Sequence, residues 1–357
     1  MNPALGVLYH WIGGLAAASF YLPYRGVKNW SWETYWLVGG FFSWIVAPWI
    51  FAWMLVPDLG AVLQAAPRPS VAWAYFFGAL WGIGGLTFGL TMRYLGVALG
   101  MAVALGFCAA FGTIVPPIFN GEFGGLLANR SGQWVLAGVG VCLAGIGLSG
   151  LAGMSKEREL PDEAKKQTVR EFNFAKGIGV AVFSGVLSAC MSYGFAAGRP
   201  IAQLAAQHLK AKGAPDLWQN LPVLIIVLAG GFTTNFIWCV ALNFRNRSGG
   251  DYLGNRSLPV AERPPLSRNY LLAAFAGILW YLQFFFYSMG ETQMGRFGFS
   301  SWTLHMASII IFSTLWGVAL KEWRGTSSRT HRLVLAGVFV LIASTCVVGY
   351  GNYLGTH

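Results

Sequence analysis

The chain alternates between long apolar runs and short polar interruptions, and the runs have the length of a bilayer crossing. A helix rises 1.5 Å per residue, so a hydrocarbon core of about 30 Å takes ~20 residues. Ten runs reach that length, at residues 4–24, 30–56, 71–92, 94–118, 134–153, 176–198, 220–244, 269–290, 300–320 and 332–354. Arg93 and Tyr94 mark a tight break between the third and fourth. In the first run Ala16-Ala17-Ala18 resembles a cleavage site, but Met1-Asn2-Pro3 carries no basic residue. A secretory leader needs a positive start, so the run is read as the first span. The longest loops, 154–175, 199–219 and 245–268, hold roughly 20 residues each, too few for a second domain.

Composition agrees with this pattern and narrows it. Of 357 residues, 55% are hydrophobic and only 10% charged, against about 25% charged in a soluble domain. The 47 glycines beside 26 phenylalanines and 16 tryptophans suit helices packed against each other in lipid. The reading is an all-α integral membrane protein of ten transmembrane helices. Cys108, Cys142, Cys190, Cys239 and Cys346 fall in apolar runs without a CxxC, which suggests neither a disulfide framework nor a metal site. No GxxxxGK[ST], HExxH or GxSxG occurs, so no catalytic residue, metal or cofactor is expected.

Charge orients the spans. The net charge of +11 sits in short loops, which reads as a topology signal and not as a nucleic-acid surface. Loops after odd-numbered spans carry 18 Lys and Arg, and those after even-numbered spans carry 6. Basic loops stay inside, so both termini should face outward. Ten spans also divide as five plus five. Duplication of an odd-numbered unit inserts the second copy upside down, an inverted repeat with its site at the repeat interface. The expected division is 1–153 for the first repeat, 154–175 for a cytoplasmic linker and 176–357 for the second repeat. Mechanical parts are visible too. Gly78, Gly82, Gly85, Gly89, Gly96 and Gly100 recur at four-residue spacings that let helices approach closely. Pro48, Pro116 and Pro117 must disturb their helices. Trp30, Trp36, Trp49 and Trp134 read as an interfacial belt.

Six strings carry a resemblance. ASFYLPYRGVKNWSWETYW, SWIVAPW, ALWGIGGLTFGLTMRYLG, WYLQFFFY, SWTLHM and LKEW, in order from Ser19 to Trp323, resemble the bacterial L-rhamnose–proton symporter family of the drug/metabolite transporter superfamily. The resemblance implies the five-plus-five inverted fold of that superfamily, the bacterial inner membrane, and sugar uptake driven by the proton gradient without a cofactor. L-rhamnose, protons and the lipid bilayer are the implied partners; no nucleic acid or obligate protein partner is expected. One departure concerns three positions where the family pattern carries Asn, Asn and Tyr. Here they are Gly85, Thr87 and Phe88, which puts sugar preference in question. Asp58 and Glu291 stand where the family pattern does not place acids, and receive no role.

Candidate residues follow from what a sugar and a proton require. A neutral sugar offers hydroxyls to polar groups and a C–H face to aromatic rings. Trp280, Tyr281 and Gln283 supply both in one helix, Gln283 being an amide with donor and acceptor capacity. Trp302 joins this set one turn before His305, and Tyr21 and Trp81 from the matched strings complete it. Intramembrane ionisable groups are functional candidates, so His10 and His305 are candidates for proton coupling. Glu33 is the third, because Trp30–Val56 spans 27 residues, about 40 Å of helix, with one charge. Its alternative is a plain first-turn acid behind an N-capping Ser31. Arg25 and Lys28 lie near Glu33 in sequence as pairing partners, while Arg93, Lys321 and Glu322 are gate or topology residues at the inner side. The competing functions are export or exchange of another small metabolite, a membrane-embedded sugar or lipid transferase, and a passive channel.

Overall fold

Asn2 and Pro3 start the first helix. The Asn2 side chain accepts the N–H of Leu5 at 3.2 Å, and proline in the first turn gives up an N–H that has no partner inside the helix. The computed structural model describes residues 2–95, 97–159, 174–254, 259, 263–321 and 323–356, with side chains except at 89, 92, 93, 97–99, 101, 102, 174, 296, 297 and 356. Every regular element among them is helical. In order these are α1 (Pro3–Tyr24), α2 (Trp32–Leu55), α3 (Leu59–Ala65), α4 (Arg68–Leu95), α5 (Val97–Phe119), α6 (Phe123–Ala128) and α7 (Arg130–Glu159). Then follow α8 (Phe174–Ala197), α9 (Arg199–Ala211), α10 (Leu221–Asn246), α11 (Leu266–Gln293), α12 (Ser301–Ala319) and α13 (Ser328–Thr356). Nine of the described helices are long and apolar enough to cross a membrane, and the apolar stretch Val103–Phe119 of α5 accompanies them. The ten long helices fall on the ten apolar runs, and α3, α6 and α9 are short connecting helices. The expected break at Arg93 and Tyr94 is displaced: α4 continues through both to Leu95. Neither residue breaks a helix, and it was hydropathy that singled them out.

Two proline sites behave differently. In α2, Phe42–Val46 forms a π-helical turn just ahead of Pro48. Proline offers no N–H and its ring crowds the carbonyl four residues back, so the ladder shifts by one residue there. In α5, Pro116 and Pro117 occupy the last turn, and their carbonyls still accept the N–H groups of Asn120 and Glu122 at 3.0 and 2.8 Å.

Hydrogen bonds between helix ends mark two rims. At the first rim Asn2 N–H meets Gln293, Ser131 meets the carbonyl of Gly351, and Asn352 meets Ser300. At the second, Ser31 meets Asp251, Lys28 N–H meets Asn269, Trp316 meets Ser19, and Ser327 meets Glu159. Successive long helices therefore run antiparallel, with both chain ends at the first rim. The helices pack as α7 on α13, α4 on α8 and α10, and α1 on α11 and α12, while α2 lies against both α10 and α11.

Bare backbone meets bare backbone at two crossings. A β-carbon at Gly78 of α4 would collide with the carbonyl of Val227 of α10, and one at Gly230 with the carbonyl of Tyr75. At the second crossing, a β-carbon on Gly277 of α11 would collide with the carbonyl of Gly39 of α2. Gly82 is equally tight against Gly231 and Thr234, whereas Gly85 faces open space. The spacing thus marks a real interface over part of its length.

The tryptophan belt needs a correction. Trp49 and Trp134 are exposed on the outside of the bundle, as a belt requires. Trp30 and Trp36 turn inward, because each indole N–H has a partner there: the carbonyl of Asp251 at 2.9 Å and Asn235 Oδ1 at 3.0 Å.

Candidate functional site

Among the described residues a cavity of ≈ 650 Å³ opens at the first rim. Its walls come from the ends of α5, α8 and α11 and from the starts of α9 and α10. The polar residues on the wall include Asn120, Arg199, Gln203, Asn220 and Glu291. Toward the second rim the packing closes: Phe20, Tyr24, Trp36, Ser43, Trp44 and Trp280 surround a space of only ≈ 10 Å³.

Tyr287 forms the floor of the large cavity. Its ring lies 5.4 Å from that of His10, 5.3 Å from His305, 5.5 Å from Trp302 and 5.1 Å from Phe195, centroid to centroid. The two imidazoles behind it stand 6.3 Å apart. Both are fully buried, and none of their four nitrogens has a hydrogen-bond partner among the described residues. The backbone holds them there. Ser308 Oγ donates to the carbonyls of His10 and His305 at 2.9 and 2.7 Å, and Gly14 leaves room for that hydroxyl against α1. On the other flank Trp302 donates to the carbonyl of Cys108 at 3.0 Å and lies on the bare backbone of Gly112. Thr113 and Thr303 add a hydroxyl pair at 2.7 Å between the same two helices.

Gln283 lies one turn before Tyr287 on α11, so both occupy one face. It is 2% exposed, and its amide nitrogen has no partner among the described residues. The same holds for the hydroxyls of Tyr281 and Ser43 and the indole N–H groups of Trp280 and Trp44. A buried polar group left unpaired costs about 1–3 kcal/mol, so such a concentration of donors between an open and a closed space is unusual in a settled core. It is the chemistry that meets a hydroxyl-rich solute. Trp81 stands beside it, buried, with Trp44 at 6.0 Å and Phe284 at 5.4 Å.

Other expected site residues lie elsewhere. Tyr21 is 53% exposed and lines neither space, whereas its neighbours Phe20 and Tyr24 line the smaller one. Glu33 is buried at the second rim, where Oε1 accepts from Asn246 Nδ2 at 2.9 Å and Ser248 Oγ at 2.6 Å. Ser31 precedes α2 in extended backbone but its side chain caps nothing. Asp251 performs that task instead, accepting Ser31 N–H at 2.8 Å and Thr34 Oγ1 at 3.2 Å. Arg25, Lys28 and Lys321 are exposed at this same rim. Glu322 and the side chain of Arg93 lie outside the described residues. Gly85, Thr87 and Phe88 line neither space; the Thr87 hydroxyl bonds back to the carbonyls of Ile83 and Gly84, and Phe88 packs beside Leu95 and Ala181.

Three residues of the site went unassigned in the sequence. Tyr287 was within reach of it, because Trp280, Gln283, Tyr287 and Glu291 follow one helical stripe. Glu291 ends the same stripe, whereas Asn220 had no such signal: its Nδ2 donates to Glu291 Oε2 at 2.6 Å across 71 positions of chain.

Comparison with known proteins bears on this arrangement along the full chain. A family model described as L-rhamnose-proton symport protein matches residues 1–353. The curated proteins include an L-rhamnose-proton symporter of Klebsiella pneumoniae, 37% identical over 354 residues, which covers 98% of this chain and 99% of that protein. Proteins of the same name from Cronobacter sakazakii and Mannheimia succiniciproducens are each 36% identical over 348 residues, 97% of both chains. Matched along nearly its whole length, this chain belongs to the L-rhamnose-proton symport protein family.

Proposed function

We propose that this protein takes up L-rhamnose together with protons across the bacterial inner membrane, using the proton gradient as its energy source. The observation that carries the reading is the cavity at the first rim, whose floor is Tyr287 over two buried imidazoles whose nitrogens lack hydrogen-bond partners among the described residues, in a chain of the symport family. Sugar enters at the cavity and meets Gln283, Trp280, Tyr281 and the His10–His305 pair, with Trp302 and Trp81 as apolar walls. The imidazoles bond hydroxyls or hold a proton, and Glu33 serves as the inner coupling carboxylate. When the second rim opens, Glu33 of the first half parts from Asn246 and Ser248 of the second, so its surroundings differ between states, as coupling requires.

The two halves, 1–153 and 176–357, are read as inverted repeats. Exchange of the halves maps the α1–α11 contact onto α8–α4, and the α4–α10 crossing onto α11–α2, which supports that reading. The 18-to-6 division of basic residues favours a periplasmic first rim, so the cavity faces outward.

Uptake of labelled L-rhamnose into proteoliposomes tests the proposal. Concentrative uptake should need an inwardly directed proton gradient and collapse with a protonophore. Gradient-independent equilibration, or no uptake with efflux of another solute, would favour the exporter or exchanger reading.

A further inference from the structure

Glu291 stands on the wall of the outer cavity, and the transport reading leaves it unused. It is partly buried on α11, one turn beyond Tyr287 and on the same face. Asn220 of α10 donates to Oε2 at 2.6 Å and braces itself with a second, longer contact to the carbonyl of Ser288. On the far flank Gly298 faces the Glu291 side chain, and a β-carbon there would lie 3.6 Å from Oε1, in ordinary contact. The other described charges around the cavity are Arg199 at the start of α9, and Glu122 and Asp216 on the loops. Glu122 and Asp216 are exposed. Below Tyr287 lie His10 and His305. The side chain of Arg296 is outside the described residues.

Closing such a cavity around sugar removes water from its deepest carboxylate. An ionised carboxylate loses several kcal/mol of hydration when so enclosed, unless a partner or a proton compensates. Asn220 supplies one hydrogen bond and no charge, and Arg199 on the same wall favours the ionised acid from a distance, without an ion pair to it among the described residues. We propose that Glu291 is the outer proton-loading residue of this transporter: it takes a proton from periplasmic water in the open state, and the cavity closes over the protonated acid. The proton comes from solvent and binds a carboxylate oxygen, and no other bond changes. Asn220 is a positioning residue that aims the other oxygen into the cavity. This inference rests on the proton-symport reading and adds to it the group at which the proton enters.

Accessibility of the cavity provides a test that needs no sugar. In a Cys346→Ala background, Ala196→Cys places a thiol on the cavity wall, where a membrane-impermeant maleimide reaches it from outside. Its rate is divided by that of Asn2→Cys at the same pH, since thiol reactivity itself rises with pH. With Glu291 present, the normalised rate should fall several-fold from mildly alkaline to mildly acidic medium. Glu291→Gln keeps the shape and an oxygen for Asn220, and should give a low rate without pH dependence. Glu291→Asp should restore the dependence. A pH-insensitive rate with Glu291 in place, or the full dependence in Glu291→Gln, overturns the inference. The transport arm separates it from the wider reading. Glu291→Gln should lose gradient-driven accumulation of rhamnose yet still exchange it, and wild-type accumulation by this variant overturns the assignment. If the wild-type protein fails to accumulate rhamnose while labelling still follows Glu291, the substrate reading fails and the proton site stands.

Discussion

Asp251 accepts the backbone N–H of Ser31 through Oδ2 at 2.8 Å, so the start of α2 is capped by a carboxylate 220 positions away. The same oxygen takes the Thr34 hydroxyl, and the Asp251 carbonyl takes the Trp30 indole N–H. Glu33 reaches back to Ser248 in the same segment. The first residues of the loop between α10 and α11 thus tie the second half of the chain to the first at the rim where the packing is closed.

Asp251→Ala should loosen that rim. It strands the part-buried Ser31 N–H, at a cost of about 1–3 kcal/mol, and leaves the Thr34 hydroxyl only its 3.4 Å contact to Asn243 Oδ1. The expected outcome is a lower thermal midpoint in detergent, together with faster labelling of a cysteine introduced at Gly40. Unchanged values for both would show that the rim is held by other contacts.

Orientation is checked from outside intact cells. In the Cys346→Ala background, Asn2→Cys should react with an impermeant maleimide, while Arg324→Cys at the opposite rim should react only after the membrane is permeabilised. Reaction at 324 in sealed cells would reverse the assignment of the rims and make the cavity inward-facing.

For Gln283 the quantity of interest is sugar affinity against stability. Gln283→Ala removes one neutral hydrogen bond to ligand, worth ~0.5–1.5 kcal/mol, which corresponds to a roughly 2- to 13-fold weaker affinity. Its amide nitrogen has no described partner to lose, so the thermal midpoint should hold. Lowered stability with unchanged affinity would make it a packing residue.

Glu33→Gln mimics the protonated acid and keeps an oxygen for Asn246 and Ser248. Proton-driven accumulation of rhamnose should disappear while counterflow of sugar across the same membrane stays measurable. A variant that still concentrates rhamnose with normal pH dependence would leave Glu33 as a rim contact only, and the proton would belong to the groups around the cavity.

The ten apolar runs made the architecture legible, because a helix in lipid must satisfy its own backbone and so writes its length into hydropathy. His10, His305 and Gln283 were legible for a related reason: an ionisable or amide side chain in such a run is costly and therefore conspicuous. Asp251 carried no such signal. In the loop GGDYLGN it looks like any solvated acid, and only tertiary structure sets it over the start of α2. Glu291, at the end of an apolar run, reads as an interfacial charge, and its partner Asn220 opens a different helix. Tyr287 shares the helical stripe of Gln283, but a tyrosine toward the end of a span is ordinarily taken for belt. The missing information is of one kind: which helix ends share a rim.

The two glycine crossings, Gly78 with Val227 and Gly39 with Gly277, have a mechanical consequence. Where side chains interlock, one helix cannot swing past another without unmeshing its teeth. Where main chain rests on main chain, nothing is meshed, and a small rotation changes few contacts. Each crossing therefore serves as a fulcrum, and on the proposed inverted-repeat reading the two are a matched pair. A methyl group added at either would act as a wedge, holding the bundle to one tilt and turning a rocking transporter into a fixed vessel.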